Sequence, residues 1–585
     1  MRLWLMGLFM LGSFAAQAQT KSLSWTIKHT EWTRTHHENW REFVAKLGEG
    51  REKGLCRTTD ECLKHPQANP LYFRRNPSNL RSVFADCADL PHILLAYFSW
   101  MNDLPFSYQR GVSKATWKLD DLNAELASLR AQGGRLLSSQ LRTQIRALEK
   151  KISDEQKRIS KEDIRYTVDG NSVRERRTIK NGESINEILN DVVGTISTAT
   201  YRIHANKYDS GTLFKDFYHV GLNRESIQPG TILYDPAGHI AVVYKVTDDG
   251  RVLMIDAHPD NSLTRVSFGE KFSRSPDVRG AGFVNFRPQR LVGASLDPRT
   301  GNYVGGRIEG TPNRGIQNFS LEQFYGNVNP TTPVSLRDSR FRFENKNVSY
   351  HDYVRRVLSR GKLIINPVNE LKIGLNDLCL DLNDRNDSVE AAIKARIHEM
   401  NAPERLPENI YGTHGTWETY STPSRDARFK SSVKEIYEKL NDSIEKFRQG
   451  SNEITTDHTS ISSLKTDLME TYLDVAQSCV IDMANSRGRT LELSLDDVLD
   501  VLFKISFDPY HCVELRWGQT DAQSIQNCGQ NSTKMNWYNA QQRLRQTIER
   551  DYTLRMDYTV RELPTAPIGD RVAPEIGIKK LIQSL

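Results

Sequence analysis

The fold of this chain is limited first by its seven cysteines, which follow an export-type N-terminal segment. Residues 1–18, MRLWLMGLFMLGSFAAQA, contain one arginine, an apolar run and an Ala-Gln-Ala end. This order predicts a secretory signal cleaved after Ala18, in preference to an uncleaved anchor helix. We therefore expect a periplasmic or secreted protein, and the compact signal suggests a bacterial source. In an oxidising compartment most cysteines form disulfides, but an odd number cannot all pair within one chain.

Sequence context indicates how the cysteines are used. Two pairs lie close together within polar, loop-like stretches, and a third, distant pair would then remain, although six cysteines allow many other connectivities. Cys87 differs because it opens an apolar segment, and it is the cysteine that we expect to stay free. A free thiol in an oxidising compartment suggests a nucleophile, whereas a small buried residue is the simpler interpretation of a lone cysteine. The predicted disulfides are Cys56–Cys62, Cys512–Cys528 and Cys379–Cys479.

Composition excludes several classes of protein. The 585 residues are 26% charged and 38% hydrophobic, which is ordinary for a globular chain and too mixed for collagen, a coiled-coil rod or a disordered polypeptide. No second stretch approaches the roughly 18 apolar residues of a membrane span, so no integral membrane segment is expected after signal cleavage. The net charge of +6 is spread along the chain without a basic stripe, which argues against a nucleic-acid partner.

Apolar periodicity predicts a buried helix that starts near the free cysteine. Residues 84–104, FADCADLPHILLAYFSWMNDL, carry apolar side chains at helical spacing. We expect this helix to begin near Cys87, with Asp86 or Asp89 at its N-terminus. A helix in this position would present its N–H groups and its dipole to the thiol.

The rest of the chain separates into regions of different periodicity. Leucines and isoleucines at three- and four-residue steps in 116–160, interrupted by Gly133 and its neighbouring glycine, predict an inserted antiparallel helical hairpin. Short β-type runs in 229–256 are separated by turn residues and predict an antiparallel meander. Residues 291–345, rich in Gly, Pro, Asn and Arg, suggest a linker or irregular cover, and 346–585 is mainly helical.

Three polar residues occupy informative positions in this pattern. Cys87 stands near a helix start, His239 begins a strand, and Asp256 ends the next strand. A helix N-terminus stabilises a thiolate, and an imidazole can take the thiol proton and later give it to a leaving amine. A carboxylate on the adjacent strand can bind the other ring nitrogen and fix the tautomer. The order of these residues therefore agrees with a Cys–His–Asp triad.

At these residues the chain resembles papain-like cysteine hydrolases. The segment DCADL at 86–90, ahead of an apolar helix, is similar to their nucleophile segment. PGTILY at 229–234 followed by GHIAVVY at 238–244 is similar to the turn and His strand of NlpC/P60 and CHAP amidases, with Thr231 where an Asp is common.

A second branch, the transglutaminase-like proteins, is resembled as well. DLPF at 103–106 and IDAHP at 255–259 are similar to elements that follow the Cys helix and the His strand there. Both branches imply Cys87 as nucleophile, His239 as base and Asp256 as orienting residue. The backbone N–H of Cys87 would be one oxyanion donor, and the second donor stays unassigned because no Gln stands where papain-like enzymes often use one.

The resemblance implies an α+β fold with a papain-like core, in which a helix packs on an antiparallel sheet. The expected function is cleavage of amide bonds, most plausibly in peptidoglycan peptides, without a cofactor or metal. Transglutaminase-like acyl transfer, proteolysis, and a non-enzymatic scaffold with a degenerate core are the alternatives, and the helical C-terminal region is expected to bind wall, a protein partner or a pro-segment. The predicted regions are a signal peptide (1–18), an N-terminal extension (19–75), a papain-like catalytic domain (76–290) with the hairpin (116–160), a linker or cover (291–345) and a mainly helical domain (346–585).

Other histidines near these motifs have alternative interpretations. His258 could replace Asp256 as the orienting group, or it could be a loop residue. His219 is expected to be a partly buried structural histidine, and His92 is expected to pack or to cap the Cys helix.

Two further motifs have a functional and a structural interpretation. Residues 381–387 suggest a calcium loop, but the central Gly is missing and Arg385 occupies a ligand position, so a helix cap at 386–388 is the preferred interpretation. The aromatic run 411–420 could stack on sugar rings, although packing of a long loop is the preferred interpretation.

Overall fold

The computed structural model describes residues 23–75, 77–132, 138–528 and 532–585. The predicted signal peptide lies outside these residues. The chain is 42% helix and 17% strand, and its sheets are antiparallel, which confirms the predicted mixture of α and β structure. None of the helices in the described part is long and apolar enough to cross a membrane.

The first helices surround the segment that contains Cys87. The predicted helix in 84–104 is present and all twelve of its residues are buried, because its apolar side chains point in every direction into the protein. It starts at Leu90, three residues after Cys87, which is later than the sequence suggested. The disulfide Cys56–Cys62 stabilises the chain ahead of it. These helices are α1 (Arg34–Glu52), α2 (Thr59–Lys64) and α3 (Leu90–Met101).

The inserted helical hairpin is present and stands on a two-stranded ribbon. Its two helices pack through a small apolar cluster of their own, formed by Leu126, Ile145, Leu148 and Ile152. The predicted Gly-Gly turn lies within 133–137, outside the described residues. The insertion consists of β1 (Ser107–Lys114), α4 (Trp117–Gln132), α5 (Ser139–Lys161) and β2 (Asn171–Thr178), with β1 and β2 paired antiparallel.

A six-stranded antiparallel sheet forms the centre of the N-terminal half. The predicted meander supplies three adjacent strands of it, and the strand order across the sheet is β3-β8-β4-β5-β6-β7. The elements are α6 (Ile185–Thr195), α7 (Thr198–Tyr201), β3 (Phe217–His219), β4 (Ile232–Asp235), β5 (His239–Val246), β6 (Val252–Ala257), β7 (Leu263–Ser267) and β8 (Gly282–Phe286).

The sheet is covered on both faces, which explains its nearly continuous apolar strands. Successive residues of a strand point to opposite faces, so Ile240 and Val242 pack with α1 and α3, whereas Ala241 and Val243 belong to a second core. The second core includes Val354 from the C-terminal half. Both halves of the chain therefore contribute to the packing of one sheet.

Residues 291–345 differ from the predicted linker or irregular cover. Most of the first part forms a β-hairpin, in which glycines with positive φ, such as Gly293 and Gly305, adopt backbone conformations that other residues disfavour. The glycines that suggested a linker are thus part of a β-hairpin, where some of them adopt positive φ angles. Its elements are β9 (Gln289–Leu296), β10 (Tyr303–Gly310) and the short helix α8 (Glu322–Tyr325).

The C-terminal half is mainly helical, as predicted, with two small hairpins. The disulfide Cys379–Cys479 joins a 28-residue helix to the C-cap of a later helix, and Cys512–Cys528 closes a loop. All three predicted disulfides are confirmed, and Cys87 is free. The elements are β11 (Phe341–Phe343), β12 (Lys346–Val348), α9 (Tyr350–Leu358), α10 (Pro367–Lys394), α11 (Thr416–Tyr420), α12 (Pro423–Arg448), α13 (Ile461–Ser478), β13 (Val480–Ala484), β14 (Thr490–Ser494), α14 (Leu495–Asp500), α15 (Val513–Arg516), α16 (Ala522–Asn527), α17 (Ser532–Ala540), α18 (Gln542–Gln546) and α19 (Ile578–Gln583).

The predicted helix cap at 386–388 is wrong. These residues lie inside α10, which begins at Pro367 after the N-cap Asn366 and continues past them. Neither a calcium loop nor a helix start is formed at 381–387, because buried leucines at helical spacing, such as Leu375 and Leu382, extend the helix through the polar run.

Candidate functional site

Cys87 lies in a turn directly ahead of α3. Asp86 shapes this turn, since its Oδ1 accepts hydrogen bonds from the backbone N–H groups of Ala88 (2.8 Å) and Asp89 (3.2 Å). Asp89 is the N-cap residue but makes no side-chain cap, and its carboxylate instead accepts from the N–H of Asp86 at 2.9 Å. The thiol is thus next to two aspartates and one turn away from the helix end that was expected to stabilise it.

Strand register brings His239 and Asp256 together. Val242 pairs with Ile255 across β5 and β6, and continuing that register places His239 opposite position 258 and diagonal to Asp256 on the same face. His239 Nε2 and Asp256 Oδ2 are 2.6 Å apart. This bond assigns Nε2 to the carboxylate and leaves Nδ1 for proton exchange with a nucleophile.

Two further residues hold the carboxylate in place. Thr264, directly opposite Asp256 in the pairing of β6 with β7, donates its hydroxyl to Asp256 Oδ1. His258 lies 3.6 Å from Asp256 Oδ2, bonds to the Thr264 hydroxyl at 3.0 Å and stacks on the His239 ring at 5.7 Å. His258 therefore supports the pair instead of replacing Asp256 as the partner of His239. Thr264 was not singled out from the sequence, because only the register of a third strand reveals it.

The thiol approaches the same strand end from the other side. The backbone of Ile240, the residue that follows His239, lies close enough to Cys87 to lower the pKa of its thiol. The ladder between β5 and β6 begins at the Val242–Ile255 pair, so Ile240 lies beyond it and its backbone can face the sulfur. Among the described residues no hydrogen bond joins Cys87 to His239. The structure thus brings His239 and Asp256 into contact and places Cys87 near them, without a hydrogen bond between Cys87 and His239.

Electrostatics favour neutral side chains at this site. Burial raises the pKa of the Cys87 thiol well above its ordinary value, and the negative charge of Asp86 adds to the shift, while the Ile240 backbone opposes it. Burial lowers the pKa of His239, with Arg428 adding to the effect and Asp256 opposing it. For Asp256 burial acts to raise the pKa, but the two neighbouring histidines hold it well below its usual range. At neutral pH the site contains a thiol, an imidazole and a carboxylate.

A second buried His–Asp pair fixes the region behind the cysteine turn. His92 Nε2 lies 2.9 Å from Asp216, and its Nδ1 lies 3.2 Å from the hydroxyl of Tyr201. Tyr201 in turn donates to the carbonyl of Ala88 at 2.6 Å. His92 therefore packs as predicted, and it also positions the backbone next to Cys87. His219 is buried as well, with its Nε2 at 2.9 Å from the Gly280 carbonyl.

The C-terminal half covers the strand end that carries His239. Arg550 bonds through one nitrogen to Asp235 and to the carbonyl of Lys271, both at 3.0 Å, and Tyr552 donates to the carbonyl of Ala237 at 2.7 Å. These contacts clamp the turn immediately before His239, whose exposed fraction is only 7%. These C-terminal residues therefore form part of the cover over the imidazole.

Part of the predicted aromatic run lies near this cover. Trp417 is buried in a packed cluster, which agrees with the packing interpretation. Tyr411 approaches Tyr552 with a ring separation of 5.6 Å, and Tyr552 stacks on Tyr166 at 4.5 Å. These aromatic rings join the C-terminal half to the segment that follows the helical hairpin.

One large cavity and one metal-type cluster of the described residues lie away from these groups. A cavity of about 570 Å³ is formed between the sheet and helices α9, α10 and α12, but Cys87, His239 and Asp256 do not line it. Cys512, Glu514 and Cys528 are close enough together to share an ion, yet both sulfurs belong to a disulfide and cannot act as thiolate ligands.

Comparison with known proteins gives no relative for this chain. No family model, no curated protein and no solved structure matches it. The chemistry of the site must therefore be argued from its own geometry.

Proposed function

We propose that this protein is an exported cysteine hydrolase that cleaves amide bonds with Cys87 as nucleophile, His239 as base and Asp256 as orienting residue. The single observation that carries the proposal is the 2.6 Å bond between His239 and Asp256, beside a cysteine that stays free while the other six cysteines pair. A buried imidazole with one nitrogen bound to a carboxylate is oriented as a general base needs to be.

The reaction would begin from a neutral thiol and a neutral imidazole. His239 Nδ1 takes the proton as the sulfur attacks the carbonyl carbon, and the same proton then passes to the leaving amine as the C–N bond breaks. Water, deprotonated by His239, attacks the thioester, and the products are a carboxylic acid and the regenerated thiol. The absence of a Cys87–His239 hydrogen bond is compatible with this reaction, because hydrogen bonds between catalytic groups often tighten only when substrate is bound.

Peptidoglycan peptides are the proposed substrate class. The support is the predicted export signal together with the resemblance of the segments around Cys87 and His239 to NlpC/P60 and CHAP amidases. Transfer of the acyl group to an amine would pass through the same thioester, so the products distinguish the two outcomes. Peptide fragments incubated with and without an added amine, and analysed by mass, should show free termini in both cases if hydrolysis is the reaction.

The test of the nucleophile is selective alkylation of the native protein. Iodoacetamide at neutral pH should modify Cys87, since the other six cysteines are oxidised, and peptide mass analysis should locate the label. His239→Ala should slow the labelling at least about tenfold, because general-base assistance is worth about two to four orders of magnitude.

A matched control separates loss of the base from loss of packing. His258→Gln changes a neighbouring imidazole that stacks on His239 but does not bond to it, and it should retain most of the labelling rate. Equal labelling of the wild-type protein and His239→Ala would contradict the proposal. Native protein that resists labelling altogether would favour the scaffold alternative.

A further inference from the structure

The first turns of α12 lie beside the proposed triad and carry a guanidinium without a partner. Glu435, farther along α12, accepts a hydrogen bond from the backbone of Glu270 at 2.8 Å, and that bond fixes which face of the helix meets the N-terminal half. Arg428 precedes Glu435 by two turns and shares this face. Ser424, one turn before Arg428, has its hydroxyl 3.5 Å from the Tyr552 hydroxyl, which donates to the carbonyl of Ala237, so this part of α12 lies against the turn ahead of His239. The charge of Arg428 accordingly lowers the pKa values of His239 and His258. Among the described residues no hydrogen bond or ion pair is made to Arg428.

A second arginine next to it is only half satisfied. Arg550 uses Nη2 for Asp235 and the Lys271 carbonyl, whereas its Nη1 is buried without a hydrogen-bond partner. The Arg550 side chain is 7% exposed, so solvent cannot routinely supply the missing bond. The Arg428 and Arg550 charges oppose each other, since Arg550 lowers the pKa of Arg428. Two guanidinium groups that both keep unused N–H donors can bind the same anion.

The carboxylates nearby are already committed. Asp256 binds His239 and Thr264, and Asp235 binds Arg550 and the backbone N–H of Ala237. Neither carboxylate forms a bond to Arg428, although the charges of both raise its pKa. The N–H donors of Arg428 and Arg550 that no described residue accepts from can therefore bind one more anionic group.

We propose that Arg428 and Arg550 form a binding site for a carboxylate of the substrate, beside His239. A planar guanidinium matches the two oxygens of a carboxylate, and Arg428 is partly exposed, so an entering group can reach it. A role of this carboxylate site in catalysis rests on the proposed function. The site then specifies that the substrate is a peptide with a carboxylate close to the bond that is cleaved. The C-terminal half would thus supply the specificity of a site whose reactive residues lie in the N-terminal half.

Anion binding can be measured without any catalysis. In Cys87→Ser protein at constant ionic strength, succinate should raise the unfolding temperature by about 2 °C or more at high concentration, since a ligand that binds only the folded state stabilises it. Cys87→Ser combined with Arg428→Gln should lose this shift. Arg448→Gln lies at the far end of the same helix, on an exposed side chain paired with Glu445, and should leave the shift intact.

Alkylation of Cys87 gives the second measurement. A maleimide that carries a carboxylate on a flexible linker should label wild-type protein faster than the matching carboxamide, and Arg428→Gln should reduce this preference about tenfold, the usual value of one charged hydrogen bond. Arg428→Lys, which keeps the charge but not the fork of donors, should retain part of the preference.

The two measurements separate the two proposals. Labelling of Cys87 without carboxylate preference and without succinate stabilisation overturns the carboxylate site and leaves the hydrolase proposal standing. Succinate stabilisation that depends on Arg428, in a protein whose Cys87 resists every reagent, supports the anion site and rejects the hydrolase. If succinate stabilises Cys87→Ser protein equally with and without Arg428→Gln, it binds elsewhere. That result overturns the proposed carboxylate site.

Discussion

At the scale of single residues, the site is defined by which atoms are already bonded. Asp256 accepts from His239 and from Thr264, so both of its oxygens are fixed and the imidazole cannot rotate freely. Cys87 lies near the Ile240 backbone and among negative charges from Asp86 and Asp256. This arrangement orients the imidazole and disfavours the thiolate form of Cys87 at neutral pH.

The pH dependence of Cys87 labelling follows from these charges. A preformed thiolate–imidazolium pair would react with iodoacetamide at a rate that is nearly constant down to weakly acidic pH. Because burial and Asp86 raise the pKa of Cys87, while burial lowers the pKa of His239, we expect the rate to rise continuously from about pH 7 to pH 9. A rate measured by mass spectrometry that is flat across this range would contradict the assignment of neutral groups. Asp86→Asn, which removes a nearby negative charge, should shift the curve to lower pH.

Asp384 gives a second pH-dependent prediction. Burial, followed by the charge of Asp256, raises the pKa of this α10 carboxyl to about 8. Between the unfolded value of about 3.9 and the folded value, only the unfolded chain loses the proton, so stability falls as pH rises through that window. Asp384→Asn should therefore unfold at a higher temperature than wild type at pH 8, with a gain of about 1 kcal/mol or more, and near pH 4 the two should coincide. The exposed Asp248→Asn serves as the control, and an Asp384→Asn gain that is independent of pH would argue against a buried protonated carboxyl.

At the scale of helices and strands, local patterns were informative and boundaries were not. The helical hairpin, the meander and the buried helix after Cys87 were all predictable from the sequence. The spacing of apolar residues indicates which side chains are buried and whether the segment is a helix or a strand. The start of α10 was missed by about twenty residues, since its first part is polar enough to resemble a loop. The ribbon of β9 and β10 was mistaken for a linker because its glycines are needed for positive φ angles and carry no apolar signal.

The connection between α10 and α13 is a testable element-scale feature. Cys379 and Cys479 are 100 residues apart in sequence, so their disulfide restricts the unfolded chain strongly. Replacing both cysteines with alanine should lower the free energy of unfolding by about 2–4 kcal/mol, measured by denaturant titration. The same change at Cys56 and Cys62, six residues apart, should cost less if chain entropy is the main cause. Equal losses at the two disulfides would indicate that native packing, and not loop length, dominates.

At the scale of the whole molecule, one half of the chain carries the proposed reactive groups and the other half closes over them. The contacts of Arg550 and Tyr552 with the turn before His239 leave the imidazole almost fully covered. Both halves also share the apolar packing of the central sheet. The imidazole is therefore covered by contacts between segments more than 300 residues apart, such as Tyr552 and Ala237, which are 315 positions apart.

Loosening this cover should expose the site. Tyr552→Ala removes the hydrogen bond to Ala237 and the stacking on Tyr166, so we expect Cys87 to react with iodoacetamide several-fold faster than in wild type. Hydrogen exchange at residues 235–238 should rise in the same variant, and the core strand β5 should stay protected. Tyr552→Phe, which keeps the ring and loses only the hydroxyl, should have a smaller effect. An unchanged labelling rate in Tyr552→Ala would show that this contact does not control access.

The sequence by itself indicated the free cysteine, the main periodic elements and the residue types of the proposed triad, because these depend on local spacing and on counting. It suggested the disulfide pairing but left other connectivities open, and the structure selected among them. Tertiary structure alone decided that Thr264 and His258 support Asp256, that the Cys87 thiol lies near the Ile240 backbone, and that Arg550 and Tyr552 bind the turn before His239. Strand register and the packing of distant helices set those contacts, and neither leaves a pattern within a short stretch of chain.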